Sequence, residues 1–380
     1  MITSSVPSTA RRMFAVRLFM DRTSRYARRE QQVPHDSVSR LTQLLRTIDA
    51  HVGGQAVRLI VEGLPESAGR SLVARRNRLA RQTDHVRRAL LRPPRGDSGL
   101  IAAMLSEPLT PGAHASLLCM DADGYPALQG EAVIAAATIA LERGLIFVGE
   151  ADAETRLVFD TIAGTVVATA RIEQRGDAAR VDSVAIVNVP AFVLAAAQSV
   201  FVGGRELRVD IAYGGIFHAI IDTEAIGIPL EVQRLPELRR LAIDLLKAVN
   251  ASGRFEHPVD GSLNGVSAVT ITSAPRDLEA HLRNVTISAG GAVDPSACVT
   301  GTSAAMAILD AMGLLPEDQA FVHEGITGTL LRGRVMRRTQ VGERTAVVTE
   351  ITGTAWITGD HAFVLDDDDP LREGFAFYFT

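Results

Sequence analysis

The chain is short of lysine and cysteine, and each scarcity bears on what it can be. Among its 380 residues Lys247 is the one lysine, so its positive charge is carried by arginine, a bias of composition rather than a binding surface. With a formal net charge of -5 it lacks the electrostatic footprint of a nucleic-acid binder. Cys119 and Cys298, far apart in sequence, make neither a disulfide framework nor a metal knuckle, and such sparse cysteine suits a reducing compartment. No apolar run reaches the ~20 residues needed to cross a bilayer. The expectation is therefore a cytoplasmic protein with no membrane partner; no cofactor, no metal and a homodimer among its oligomeric options are expected beside it, though composition does not decide them. The run Asp366-Asp-Asp-Asp369 is consecutive, as a solvated charge run is and a dispersed ligand set is not.

What the chain does have is apolar content, 47% of its residues, enough for two cores of ~100–200 residues each. Residues 1–45 stand apart. Arg11, Arg12, Arg17, Arg22, Arg25, Arg28, Arg29 and Arg40 outnumber the acids there, which reads as a disordered extension, or as a mitochondrial transit peptide if the location is not cytoplasmic.

A helical segment occurs twice without a gap. The stretch from Gln129 to Leu145 superimposes on that from Cys298 to Leu314, sharing Ala135 with Ala304, Ile139 with Ile308, and a closing Gly144-Leu145 with Gly313-Leu314. Both copies are Ala-rich and nearly uncharged, the pattern of a helix buried all round. Each N-terminus offers unpaired N–H groups and the positive end of a dipole, so two of them can face one anionic ligand. One opens on a thiol and the other on an amide.

Strand-like stretches fall at 57–61, 157–159, 165–172, 181–187, 207–211, 216–221, 267–272, 330–335, 345–351 and 355–357, with further helices at 72–91 and 235–251. Together with the duplication, this gives an α+β fold of two pseudo-symmetric domains, each a curled β-sheet around one central buried helix, with a ligand site between them. The first domain spans 46–200 and is completed by 352–380; the second spans 201–351.

Several ordered blocks carry a family resemblance: Asp49-Ala-His51-Val-Gly53-Gly54, Gln82-Thr-Asp-His-Val-Arg-Arg88, Asp123-Gly124-Tyr125, Asp210-Ile-Ala-Tyr-Gly-Gly-Ile-Phe217, Val293-Asp294-Pro-Ser-Ala-Cys298-Val-Thr300-Gly301-Thr302 and Asp369-Pro-Leu-Arg-Glu-Gly-Phe375. With these the chain resembles the proline racemase superfamily of proline racemases, 4-hydroxyproline 2-epimerases and trans-3-hydroxy-L-proline dehydratases. That resemblance implies a fold like diaminopimelate epimerase and a small imino acid substrate. It also implies two bases, each at a helix N-terminus, on opposite sides of the substrate Cα.

Cys298 matches the second base, where a helix N-terminus is expected to lower a thiol from ~8.5 toward neutrality. The first base position, Cys and sometimes Ser in the family, is Gln129, whose amide has no useful basicity. The family's nearby histidines are Glu131 and Asp97 here. Gly130, Thr300, Gly301 and Thr302 are expected to offer N–H groups to a carboxylate, and Asp294 matches the aspartate that contacts the substrate nitrogen, although a helix-capping Asp would look the same. Glu131 is read three ways: a solvated first-turn carboxylate favouring the helix dipole, a partner for the substrate ammonium, or a substitute base. Cys119, in an apolar run, reads as strand core.

The implied activity is cofactor-independent removal of a Cα proton from proline or a hydroxyproline by a single thiol base. Two alternatives accompany it. One is dehydration of trans-3-hydroxyproline, although the family's dehydratases keep the first Cys and replace the second with Thr. The other is a catalytically silent binding protein.

Overall fold

The computed structural model describes residues 42–65, 69–148, 153–175, 178–315 and 320–376. Most of the N-terminal extension expected over 1–45 lies outside them, but its last residues do not: the first strand already begins at Thr42.

The first half runs β1 (Thr42–Val52), β2 (Gln55–Glu62), α1 (Leu72–Gln82), α2 (Asp84–Leu91), β3 (Ile101–Ser106), β4 (Ala115–Met120), α3 (Gly130–Glu142), β5 (Glu154–Thr161), β6 (Gly164–Arg175) and β7 (Ala178–Val187). The second runs β8 (Ala191–Val202), β9 (Arg205–Tyr213), β10 (Phe217–Asp222), α4 (Thr223–Ile226), α5 (Leu235–Ser252), a small hairpin β11 (Glu256–His257) and β12 (Asp260–Asn264), β13 (Val266–Ser273), β14 (Leu282–Ser288), β15 (Val293–Asp294), α6 (Val299–Ala311), β16 (Phe321–Gly325), β17 (Leu330–Val341) and β18 (Arg344–Gly353). The last strand, β19 (Ala355–Asp366), crosses back and pairs along the whole of β1, from Thr42↔Asp366 to Val52↔Ala355.

The pairings repeat. In the first half β2–β3 is parallel, β3–β4 antiparallel, β4–β5 parallel, and β5–β6 and β6–β7 antiparallel. The second half repeats that series with β10–β13, β13–β14, β14–β16, β16–β17 and β17–β18. The helix in each middle crossover, α3 or α6, lies inside its own sheet, and β7 pairs with β18 to join the halves. This is the α+β architecture expected of the duplication.

The two central helices also end alike. Gly144 (φ 64°) and Gly313 (φ 69°) take the left-handed conformation, and the N–H groups of Leu145 and Leu314 return to Ala140 and Leu309 at 2.8 Å each. That is a Schellman cap in both copies, and it explains why Gly-Leu closes each repeat. Eleven of the thirteen α3 residues are buried, as an Ala-rich helix permits, because small side chains let strands approach on every side.

Two boundaries differ from the sequence-based expectation. β8 pairs with β9 and packs on α6, so it belongs with the second half, and the passage between halves lies at 188–190 rather than at 200. The 72–91 helix is two helices, broken at Thr83, whose N–H and hydroxyl both return to the Leu79 carbonyl at 2.8 and 3.1 Å. Asp84 then starts the second by pairing with Arg87 and Arg88.

Candidate functional site

The site is built where α3 and α6 begin. β15 pairs Asp294 with Thr286, and the loop that follows is held by a stepwise set of bonds. The Ser296 N–H donates to Asp294 Oδ1 (2.8 Å), the Cys298 N–H to Ser296 Oγ (3.0 Å), and the Gly301 N–H to Cys298 Sγ (3.4 Å). Cys298, the N-cap of α6, has φ 58° and ψ 107°. Few non-glycine residues adopt a positive φ, and when they do the surroundings must hold them there.

Gln129 is the N-cap of α3, but its side chain does not cap the helix. Its Nε2 donates to Asp121 Oδ2 at 3.3 Å, which fixes the amide's orientation and leaves Oε1 buried with no hydrogen-bond partner among the described residues. Two residues on, Glu131 is 3% exposed, not solvated as a first-turn carboxylate would be, and reaches across to the other half. Its Oε1 accepts the Val299 N–H at 2.6 Å and the Ser296 hydroxyl at 3.3 Å. A carboxylate from the start of α3 thus caps the start of α6.

Gln129, Glu131, Asp294, Cys298 and Thr300 line one cavity of about 110 Å³, partly enclosed and suited to a small metabolite rather than a peptide. Asp121, Asp123, Gln55 and Ser98 complete parts of its wall. The donor atoms of Glu131, Asp294 and Cys298 all lie within 4.8 Å of one another, compact enough to hold one cationic group.

Three expected ligand-binding residues are not part of that lining. The Gly301 N–H is spent on Cys298 Sγ, and the Thr302 N–H on the Cys298 carbonyl at 2.7 Å, so neither points an unpaired donor at a ligand. At Gly130 a Cβ would meet Val299 Cγ1 at 2.3 Å: the Val299 side chain fills the gap between the two helix ends. Asp97 is exposed and bonds the Gly99 N–H in its own turn. Cys119 is buried in β4, and burial pushes its thiol up to about 12, as strand core predicts.

The profile of the family described as proline racemase matches residues 47–376. The chain belongs to the proline racemase family. It is 35% identical over 341 residues to the proline racemase of Clostridioides difficile, covering 88% of this chain and 99% of the relative. It is also 35% identical over 337 residues to the trans-3-hydroxy-L-proline dehydratase of Bacillus thuringiensis subsp. konkukian, with the same coverage. A hydroxyproline epimerase from Agrobacterium vitis, solved with bound trans-4-hydroxy-L-proline, aligns with a TM-score of 0.81 at 29% identity over 88% of this chain and 95% of that one. The family is one of isomerases and dehydratases, and this chain is accordingly an enzyme of that fold.

Within the family frame, the electrostatics of this member run against one expectation. The Cys298 thiol is not lowered: burial pushes it well above its ordinary value, and the Asp294 and Glu131 carboxylates push it further, with only the Thr300 hydroxyl and the Gly301 N–H opposing. Helix-end stabilisation of a thiolate is outweighed when two carboxylates share its enclosure. Glu131 is itself raised to about 8, by burial first and by Asp294 second. Burial likewise raises Asp294, which accepts hydrogen bonds from Ser296 and from the Cys298 thiol.

Behind the sulfur lies a buried polar chain that sequence patterning does not reveal. Thr300 Oγ1 is 3.5 Å from Cys298 Sγ and 3.1 Å from His218 Nε2; His218 Nδ1 is 3.0 Å from Thr270 Oγ1, which is 2.9 Å from Thr286 Oγ1. Burial holds His218 down to about 3, so the ring is neutral. With the thiol proton on Asp294 and the imidazole proton on Nε2, every donor in the chain points toward the sulfur. The one sequence signal was a histidine within the otherwise apolar strand 217–221.

Proposed function

We propose that this enzyme removes the Cα proton of a proline-type ring with Cys298 as its single base. The observation that supports this best is the placement of Cys298 and Gln129 in the wall of one small cavity, a base facing a group that cannot accept a proton. Asp294, raised by burial and hydrogen-bonded to the thiol, takes the thiol proton; a ligand ammonium near the carboxylates offsets their charge and favours the thiolate. The thiolate then takes the Cα proton, and the pair left on carbon moves onto the adjacent carbonyl oxygen. Return of a solvent-derived proton from the same face completes an exchange without inversion. Where the ring carries a 3-hydroxyl, the same pair can expel it, so one base is also sufficient for elimination.

Incubation in D₂O with L- and D-forms of proline, 4-hydroxyproline and 3-hydroxyproline tests this by the appearance of deuterium at Cα in NMR spectra. Exchange should occur with retention and vanish in Cys298→Ser. Exchange that persists in Cys298→Ser, or no exchange with any ring of the class, rules the assignment out.

A further inference from the structure

We propose that Glu131 is a further catalytic residue, the general acid that gives its proton to a hydroxyl leaving C3 of the ring, on the same face from which Cys298 takes the Cα proton. This rests on the assignment of Cys298 as the base at Cα, and it supplies that base with the partner an elimination needs.

Position is the first argument. Glu131 stands on the first turn of α3, yet its carboxyl group lies among the groups that hold the thiol. Oε1 accepts the N–H of Val299, which follows Cys298, and the hydroxyl of Ser296, whose oxygen accepts the Cys298 N–H. A carboxyl oxygen of Glu131 lies within 4.8 Å of the sulfur. A ring held between two groups would keep them roughly 7 Å apart, two van der Waals contacts. Glu131 therefore flanks the base instead of facing it across the ring, and both line the cavity.

The proton is the second. Burial first, and Asp294 second, keep the Glu131 carboxyl group protonated up to about 8, so over the neutral range it has a proton to give. Both hydrogen bonds from Val299 and Ser296 fall on Oε1. The acid proton accordingly belongs on Oε2, to which no other described residue donates, and a ligand hydroxyl oxygen in the cavity can accept it.

The third argument is stereochemical. In a trans-3-hydroxyproline the hydroxyl and the carboxylate are on opposite faces, so the hydroxyl shares a face with the Cα hydrogen. An acid and a base side by side serve that isomer, whereas the cis hydroxyl points away from both. The proton count also closes. The thiolate takes the Cα proton, and the pair moves onto the carboxyl oxygen and returns to form the bond between Cα and C3. The C3–O pair leaves with the oxygen, which takes the Glu131 proton and departs as water. The thiol then passes its proton to the Glu131 carboxylate beside it, which restores both groups, and the cyclic enamine tautomerises to an imine. Nothing is oxidised or reduced.

NMR in D₂O on the full-length protein tests this, with both enantiomers of cis- and trans-3-hydroxyproline for elimination and of proline for Cα exchange. Wild type is compared with Glu131→Gln, Glu131→Asp and Cys298→Ser. Glu131→Gln keeps an oxygen for the Val299 N–H but has no acidic proton. A trans isomer should be eliminated at least about tenfold faster than its cis counterpart, and Glu131→Gln should lower the ratio of elimination to exchange by about 10²-fold or more. Glu131→Asp should regain part of that ratio, and Cys298→Ser should lose both reactions. A merely structural role for Glu131 would lower the two rates together. An unchanged ratio in Glu131→Gln, faster elimination of a cis isomer, or proline exchange with no elimination at all would overturn the acid and leave the base standing. Elimination and exchange that both survive Cys298→Ser, or neither reaction in wild type, would overturn the base and the acid with it.

Discussion

The Glu131 carboxylate accepts the Val299 N–H at 2.6 Å, so a side chain on the first turn of α3 caps the first turn of α6. One bond therefore links the helices that the duplication made equivalent, and it does so at the centre of the site. Because the carboxylate is 3% exposed, its protonation is tied to the stability of the whole molecule.

The sign of that tie follows from the shift. Glu131 ionises near 4.5 in its ordinary state and near 8 when folded, so between those values the folded state binds the extra proton. Its contribution is fully present below about 4.5 and is lost as pH rises through about 8. The groups facing it, Asp294 and Cys298, are raised as well, and Asp294 pulls in the same direction. Glu131→Gln should therefore reduce, without abolishing, the decline of Tm with rising pH. A wild-type deficit of at least about 2–4 °C relative to the variant should open on the alkaline side in thermal melts. Parallel curves would show that Glu131 is ionised throughout.

Thiol reactivity should follow the same charges. Brief iodoacetamide treatment and mass spectrometry should find Cys298 modified more slowly than an unperturbed thiol and Cys119 essentially unmodified, because burial and neighbouring carboxylates suppress the thiolate. Above about pH 8, where Glu131 is ionised, removing its charge with Glu131→Gln should raise the Cys298 rate. Preferential modification of Cys119 contradicts this ordering.

A second thiol should alter the outcome of the reaction. Gln129→Cys places a base on the other side of the ring, and a positioned base is worth roughly 10²- to 10⁴-fold in rate. Polarimetry should show interconversion of the two enantiomers gaining by that order, while exchange with retention changes little. An unchanged inversion rate would mean that position 129 does not face Cα.

The polar chain behind the sulfur can be broken at its middle. His218→Leu leaves the buried Thr270 and Thr300 hydroxyls each short of a partner, at about 1–3 kcal/mol apiece. Denaturant melts should register that loss, and Cα exchange should slow. Held at about 3, His218 stays neutral over the working range, so the wild-type pH–rate profile should contain no inflection that this variant removes.

Gly214, just after β9, is the close-approach point of that turn to α6. A Cβ there would lie 2.0 Å from the Thr300 carbonyl oxygen, so Gly214→Ala must push the first turn of α6 aside. The expected cost is about 1–3 kcal/mol or more, seen as a lowered Tm together with loss of Cys298-dependent exchange.

Much of this was legible in the chain because the duplication survives as identities at fixed offsets. Ala135 with Ala304, and the two Gly-Leu closures, mark equivalent helices with equivalent caps. Two of the strands that escaped notice have a blunted pattern. β3 is Ile-Ala-Ala-Met-Leu-Ser, with little β-branching, and β8 carries Ala195, Ala196 and Ala197, the last at φ 50° in an irregular stretch that shifts register against β9. At the site, spacing could place Cys298, Asp294 and Gln129 but not the direction of Glu131. That direction depends on a partner 168 positions away, Val299, whose N–H is engaged only because the two helix ends meet. The same meeting sets the Val299 side chain against Gly130.

The backbone at Cys298, at φ 58°, has a consequence for how this protein can change over time. A positive φ favours glycine on conformational grounds, so Cys298→Gly relieves strain on the order of 1 kcal/mol or more even as it removes the proposed base. Selection for thermal stability alone would therefore drift toward an inert chain, and the thiol persists only where its chemistry is also under selection. Stabilised variants of this scaffold are best sought elsewhere, with position 298 held fixed during the screen.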